Sequence, residues 1–67
     1  MKSCIVFTTG ESWVVAQRRV SVIEDLLSYR NADVAVEGVV TNDEYRKASF
    51  KATVLVGNVV AVTDVAE

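Results

Sequence analysis

The clearest pattern of hydrophobic and polar positions lies in the last third of the chain. Two β-branched segments, 45–56 and 59–65, flank the dipeptide Gly57-Asn58. A two-residue loop of this composition between such segments predicts a β-hairpin. In its register Lys51 lies directly opposite Asp64, and opposite charges at facing positions support that alignment.

This register would divide the hairpin into two faces, because side chains alternate along a strand. The face expected to pack on the core carries Phe50, Ala52, Val54, Val56, Val59, Ala61, Thr63 and Val65. The second face is polar except near the turn, where Leu55, Val60 and Val62 lie together. We expect another protein surface to cover that apolar part.

The first third predicts a second hairpin. Apolar segments at 3–8 and 12–17 are separated by a turn, and Gly10 supplies the backbone freedom that the turn needs. Residues 33–41 return to strand, with Gly38 predicting a bulge or bend. The polar segment 41–44 then predicts a turn into the C-terminal hairpin.

A helical period separates the two β regions. Ser21 and Glu24 match a capping box, which predicts a helix of about nine residues beginning after Ser21. Asn31 would end it in the left-handed conformation. The side chains expected to face the sheet are Val22, Ile23, Leu26, Leu27 and Tyr29.

The predicted order is therefore β-β-α-β-β-β within a single domain, residues 1–67. We predict a small α+β fold: a strongly bent antiparallel sheet, or a partly open barrel, of about five strands with one short helix. The choice between an open sheet and a closed barrel stays open at this level.

The composition limits the possible sources of stability for so small a chain. It has 67 residues, one cysteine and no histidine. An internal disulfide is excluded, and a structural zinc site has too few typical ligands. Unusually good packing or oligomerisation is left, and the surplus of apolar strand residues favours a homo-oligomer over a monomer.

The remaining chemistry argues against an enzyme and against a bound cofactor. Cys4 has no histidine to activate it and is expected to be a packed thiol. The carboxylates lie where turns or the helix explain them. The net charge of −2 implies no particular partner, and no membrane span or signal peptide is expected, so a cytoplasmic location is the default.

Two hypotheses for function follow. The first is a non-enzymatic protein-interaction module that forms homo-oligomers and binds another protein. Its contact residues would be Trp13, Leu55, Val60 and Val62. Tryptophan is enriched in binding hot spots, although it also serves as a core residue in small domains.

The alternative hypothesis is a regulator that binds nucleic acid. Tyr45, Lys47 and Lys51 would share one strand face, with Arg18 and Arg19 ahead of the helix. An aromatic ring with lysines on a curved sheet suits single-stranded nucleic acid, whereas lysines on a strand also serve solubility and edge protection.

The layout also resembles a class of small, functionally uncharacterised proteins of bacteriophages and bacterial genomes. The resemblance rests on a short N-terminal hairpin (Ile5-Val6-Phe7 to Trp13-Val14-Val15), a single helix and the strand Val59-Val60-Ala61-Val62. It implies a phage or mobile-element origin and no specific function or site residues.

Overall fold

The computed structural model describes residues 2–65, which form five β-strands, one α-helix and one 3-10 helix. In chain order these are β1 (Ser3–Phe7), β2 (Ser12–Val15), α1 (Arg19–Tyr29), β3 (Asn31–Thr41), β4 (Glu44–Leu55), η1 (Val56–Asn58) and β5 (Val59–Asp64). The predicted α+β class and the order β-β-α-β-β-β are confirmed. The sheet is antiparallel and open.

The N-terminal hairpin forms as predicted. β1 and β2 pair in a register that sets Ser3 opposite Val15 and Val6 opposite Ser12. Gly10 has φ 93°, in the region that favours glycine, and its N–H donates to the Phe7 carbonyl at 3.0 Å. Gly10 therefore closes the turn at little conformational cost.

The predicted C-terminal hairpin is wrong. The strand order is β4-β3-β2-β1-β5, so β4 and β5 lie at opposite edges of the sheet. Lys51 lies opposite Ala35 on β3, and Asp64 lies opposite Ser3 on β1. Asp64 instead accepts a hydrogen bond from Arg19 Nε at 3.2 Å. The predicted Lys51–Asp64 pair does not exist.

The two-residue hairpin turn lies one strand earlier, at Asn42-Asp43. Both residues have positive φ, 51° and 62°, the backbone signature of the turn whose twist matches a β-hairpin. Thr41 and Glu44 pair across it, and β3 and β4 remain paired from there to Asn31 and Leu55. Because β4 pairs with β3 in this long hairpin, β5 pairs with β1.

The short η1 connection forces the sheet to curl. Five flat strands would separate their edges by about 19 Å. The chain from Leu55 to Val59 can span only about 14 Å even when fully extended. The β4 and β5 edges therefore approach each other at η1. They stay unpaired with each other in the described part of the chain.

A bulge in β5 changes which of its side chains face the core. Phe7 pairs with Val59 and Val6 with Ala61, so Val60 is the extra residue. Beyond this bulge Val62 lies opposite the fully buried Ile5, while Ala61 and Thr63 are exposed. The predicted assignment of Ala61 and Thr63 to the core face is therefore wrong.

The helix begins earlier than its capping box predicts. α1 starts at Arg19 with Arg18 as an extended N-cap residue that makes no side-chain capping bond, so Ser21 lies within the first turn. The left-handed residue at the C-terminal end is Arg30, with φ 60°, and Asn31 already belongs to β3. The predicted roles of Ser21 and Asn31 are both wrong.

Two long-range hydrogen bonds explain this early start. The hydroxyl of the fully buried Ser3 donates to the Gln17 carbonyl at 2.8 Å. The Gln17 side-chain carbonyl accepts from the Ala35 N–H at 3.0 Å. Because Ser3 and β3 hold Gln17 from both sides, the helix begins at Arg19, shortly after the end of β2.

The core lies between α1 and one face of the sheet, here called the inner face. Its buried apolar residues are Ile5, Val15, Val22, Leu26, Ala32, Val34, Val36 and Val54. α1 contributes Val22 and Leu26, whereas Leu27 and Tyr29, which the helical period assigned to the sheet side, are exposed. The opposite, convex face of the sheet is called the outer face.

The bulge predicted at Gly38 is confirmed. The pairing of β3 with both neighbouring strands shifts between Val36 and Gly38. The Tyr45 ring lies over Gly38 so closely that a Cβ at this position would overlap it. The Tyr45 hydroxyl also approaches the Glu37 carbonyl at 3.5 Å. A glycine is thus needed here for close approach of an aromatic ring.

Candidate interaction surface

Trp13 is the centre of an aromatic cluster on the inner face. Its ring meets the Phe7 ring edge-on, with centroids 4.6 Å apart, and the Phe50 ring at 5.5 Å. Such arrangements are favourable beyond the area they bury. Because Trp13 is partly buried against the core, its first role is to join β1, β2 and β4.

Trp13 also lines a groove where the two edges of the sheet approach each other. The groove has a volume of about 370 Å³. Its lining residues are Phe7, Thr8, Thr9, Glu11, Trp13, Thr53, Val54, Leu55 and Asn58. Trp13 and Leu55, two of the predicted interaction residues, therefore share one concave surface. We call this surface the seam groove.

The other two predicted interaction residues differ from each other. Val60 is 66% exposed because it occupies the β5 bulge. Val62 is partly buried and packs against the core beside Ile5. Leu55, which the hairpin register placed opposite Val60, instead lies opposite Asn31. The predicted continuous face of Leu55, Val60 and Val62 is therefore wrong.

A different apolar surface surrounds η1. Leu55 and Val56 are 55% and 39% exposed, and the Val56 N–H donates to the Arg30 carbonyl at the end of α1. Tyr29, the last helical residue, is 71% exposed. We call Tyr29, Leu55, Val56 and Val60 the apolar end. Tyr29 and Val56 were missed from the sequence because both were assigned to core-facing patterns.

The predicted basic face on β4 is present. Even-numbered residues of β4 from Phe50 to Val54 pair with core-facing residues of β3, so Lys51 and Thr53 point to the outer face. Tyr45 and Lys47 pair with Val40 and Gly38, which also belong to the outer face. In the part of the chain that the structure describes, neither Lys47 nor Lys51 forms an ion pair.

The two arginines do not join this face. Arg18 and Arg19 lie at the start of α1, and Arg19 binds Asp64 of β5, the opposite edge strand. The five predicted nucleic-acid residues thus form two separate groups. A single strand of nucleic acid could contact at most Tyr45, Lys47 and Lys51 on one face.

The potential metal ligands among the described residues lie apart from one another. Among residues 2–65 no three potential ligands of the histidine, cysteine, aspartate or glutamate type come together. Cys4 is partly buried on the outer face, opposite Val14 and Thr63. The surface features that stand out are the seam groove, the apolar end and the β4 edge.

Comparisons of the chain with protein-family models, with curated proteins and with solved structures found no match. The single α-helix of the described region, at 11 residues, is too short to cross a membrane.

Proposed function

We propose that this protein is a non-enzymatic protein-interaction module that associates with a second copy of itself. The observation that carries the proposal is the apolar end. Tyr29, Leu55, Val56 and Val60 all expose more than a third of their surface. Single exposed apolar residues are ordinary, but a group of four around one short connection is typical of a contact surface.

The total surface supports the same conclusion. The accessible area is 4595 Å², whereas a compact monomer of 7.3 kDa is expected to expose about 4,200 Å². Association of two copies would remove part of this surface from water.

A second copy is the favoured occupant because the chain needs further stabilisation. A domain of about 60 residues buries only about 60% of the surface that its unfolded chain exposes. This chain has one cysteine and no histidine, so it has neither an internal disulfide nor the usual zinc ligands. Burial of the apolar end against its own copy would supply the missing stability without another component.

Light scattering on a sizing column tests the proposal directly. We expect a mass of twice the chain mass, and we expect Leu55→Asp and Val60→Asp to give a folded monomer. Thr63→Asp, at another exposed β5 position outside the apolar end, is the matched control and should remain dimeric. A wild-type monomer at all accessible concentrations would overturn the proposal.

Binding of nucleic acid remains the second candidate, and one observation favours it. Asp64 engages Arg19 rather than Lys51, so Lys51 remains available beside Lys47 and Tyr45 on the outer face. This hypothesis predicts that the protein gains mass with an oligonucleotide mixture at low salt and loses it at moderate salt. A mass that the oligonucleotides leave unchanged at both salt concentrations argues against it.

A further inference from the structure

The longest strand of the sheet is also an edge strand. β4 spans Glu44–Leu55 and, among the described residues, pairs only with β3 along one side. Its other side presents a row of backbone N–H and C=O groups to solvent, which is a template for addition of another strand. Lysines on an edge strand usually oppose such pairing, so the register in which two copies could meet is restricted.

We propose that β4 pairs antiparallel with β4 of a second copy, with Phe50 on the two-fold axis, giving one continuous ten-stranded sheet. The inference rests on the self-association proposed above and names the strand and the register that mediate it. A two-fold interface brings the same strand of both copies together, so each pair of facing residues occurs twice.

The lysines of β4 limit where the two-fold axis between the two copies can lie. Facing residues of two antiparallel strands point to the same side of the sheet. The two-fold axis therefore lies between one residue and the same residue of the second copy. An axis at Lys47 or Lys51 sets a lysine opposite itself, and an axis at Ser49 sets Lys47 opposite Lys51. Facing like charges are destabilising, so these three registers are disfavoured.

Among the remaining axes, Ala48, Phe50 and Ala52 lie nearest the middle of β4, and they differ in the length of β4 that they pair. An axis at Ala48 pairs residues 44–52, and an axis at Ala52 pairs residues 49–55 within the strand. An axis at Phe50 pairs residues 45–55 and therefore forms the longest ladder. Phe50 is 43% exposed although its ring faces the inner side, and the second copy's Phe50 would cover it.

The side-chain pairs in this register are complementary. Tyr45 of each copy faces Leu55 of the other, and both are more than half exposed in the single chain. Ser49 faces Lys51. Aromatic and aliphatic side chains at facing positions are among the stabilising cross-strand pairs. Two of the largest exposed apolar side chains thus become neighbours across the interface.

The seam groove gives an independent argument. Arg46 of the second copy would face Val54, which lines the groove together with Glu11 and Trp13. A guanidinium there meets a carboxylate and an indole ring, the two groups that arginine prefers at interfaces. The acidic turn before β4 of the second copy, with Asp43 and Glu44, would then pass beside η1. This explains why an aspartate at Val60 should oppose association.

Disulfide trapping tests the register. Both test chains carry Cys4→Ser, which removes the only native cysteine, and one adds Ser49→Cys while the other adds Lys51→Cys. Facing Cα atoms lie about 4.5–5.5 Å apart, within disulfide range, whereas each residue is about 7–8 Å from its own copy. We therefore expect the mixed disulfide to dominate over both homodisulfides in intact-mass spectra after mild oxidation.

A charge pair at one exposed site tests the energetics without touching the core. Ser49→Glu would face Lys51 of the second copy twice, and Ser49→Lys would oppose it twice. We expect the dimer dissociation constants of the two variants to differ by about tenfold or more, with Ser49→Glu the tighter. Both variants should retain the wild-type circular dichroism spectrum.

The two proposals fail differently. A dimer that shows no preference for the mixed disulfide, or equal dissociation constants for Ser49→Glu and Ser49→Lys, would overturn the β4 register and leave self-association intact. A monomeric wild-type protein would overturn both. A monomer that gains mass with oligonucleotides would instead favour the lysine face as a nucleic-acid site.

Discussion

The contrast between Val60 and Val62 is the sharpest test of how β5 is placed in the sheet. In a hairpin with β4 the two residues would share one face and respond alike to substitution. In the observed pairing with β1, Val60 occupies a bulge and is 66% exposed, while Val62 lies opposite the fully buried Ile5. The experiment compares Val60→Ala with Val62→Ala.

The magnitude follows from the burial of each side chain. Valine to alanine removes two carbons, and each buried carbon contributes about 0.8 kcal/mol. Val62 is partly buried and packs on the core, so we expect Val62→Ala to lower the free energy of unfolding by about 1 kcal/mol or slightly more. Val60→Ala removes atoms that largely face water, so its effect should stay within about 0.5 kcal/mol.

Urea unfolding followed by Trp13 fluorescence measures both values, since Trp13 is the only tryptophan and contacts two core-side rings. The two variants are compared at one low protein concentration, so that association contributes little and equally. A similar loss for both variants would refute the bulge at Val60 and the pairing of β5 with β1. Val62→Asp should unfold the protein, and for that reason Val60, not Val62, is the β5 valine suitable for testing the interface.

Three further outcomes are expected from stability measurements. Gly38→Ala should lower the free energy of unfolding by about 1 kcal/mol because its Cβ would overlap the Tyr45 ring. This loss of stability should disappear when Tyr45 is also replaced, in the Tyr45→Ser background. An unchanged loss in that background would exclude the ring as the cause. Ser3→Ala should lower the unfolding free energy by about 1 kcal/mol because it removes the hydroxyl of a fully buried residue and leaves the partly buried Gln17 carbonyl without this donor, whereas Ser3→Thr keeps the hydroxyl. Asp43→Gly should raise the thermal midpoint because its φ of 62° suits glycine better, and a lowered midpoint would contradict the turn geometry.

The class of fold was predictable because it depends on local patterns. Each useful pattern depends on a single element or on elements adjacent in sequence. These patterns are the alternation in β1 and β2, the helical period and the glycine at the β3 bulge. The choice of strand partners does not depend on local patterns. Gly57-Asn58 matches a hairpin loop as well as Asn42-Asp43 does, and it also has β-branched residues close by on both sides. The observed turn prevails because β3 and β4 pair along nearly their whole lengths.

The interaction surface was only partly predictable for the same reason. Exposure of Leu55 and Val60 followed from the general surplus of apolar residues, but their assignment to one face with Val62 depended on a pairing that does not form. The helix start was missed because Gln17 is held by Ser3 and Ala35, residues far away in sequence. Long-range hydrogen bonds of this kind override a local capping signal.

The order of the strands makes the sequence nearly a simple meander. Every neighbouring pair in the sheet is consecutive along the chain except β1 with β5, which set Ser3 opposite Asp64. A circular permutant that begins at Val59 and joins Val65 to Lys2 through a short linker would make all four pairings consecutive. We expect it to fold faster, because fewer contacts join distant parts of the chain. It would also lose η1 as a tether between the two edges, so a flatter sheet in that permutant would show that three residues set the curvature of the whole molecule.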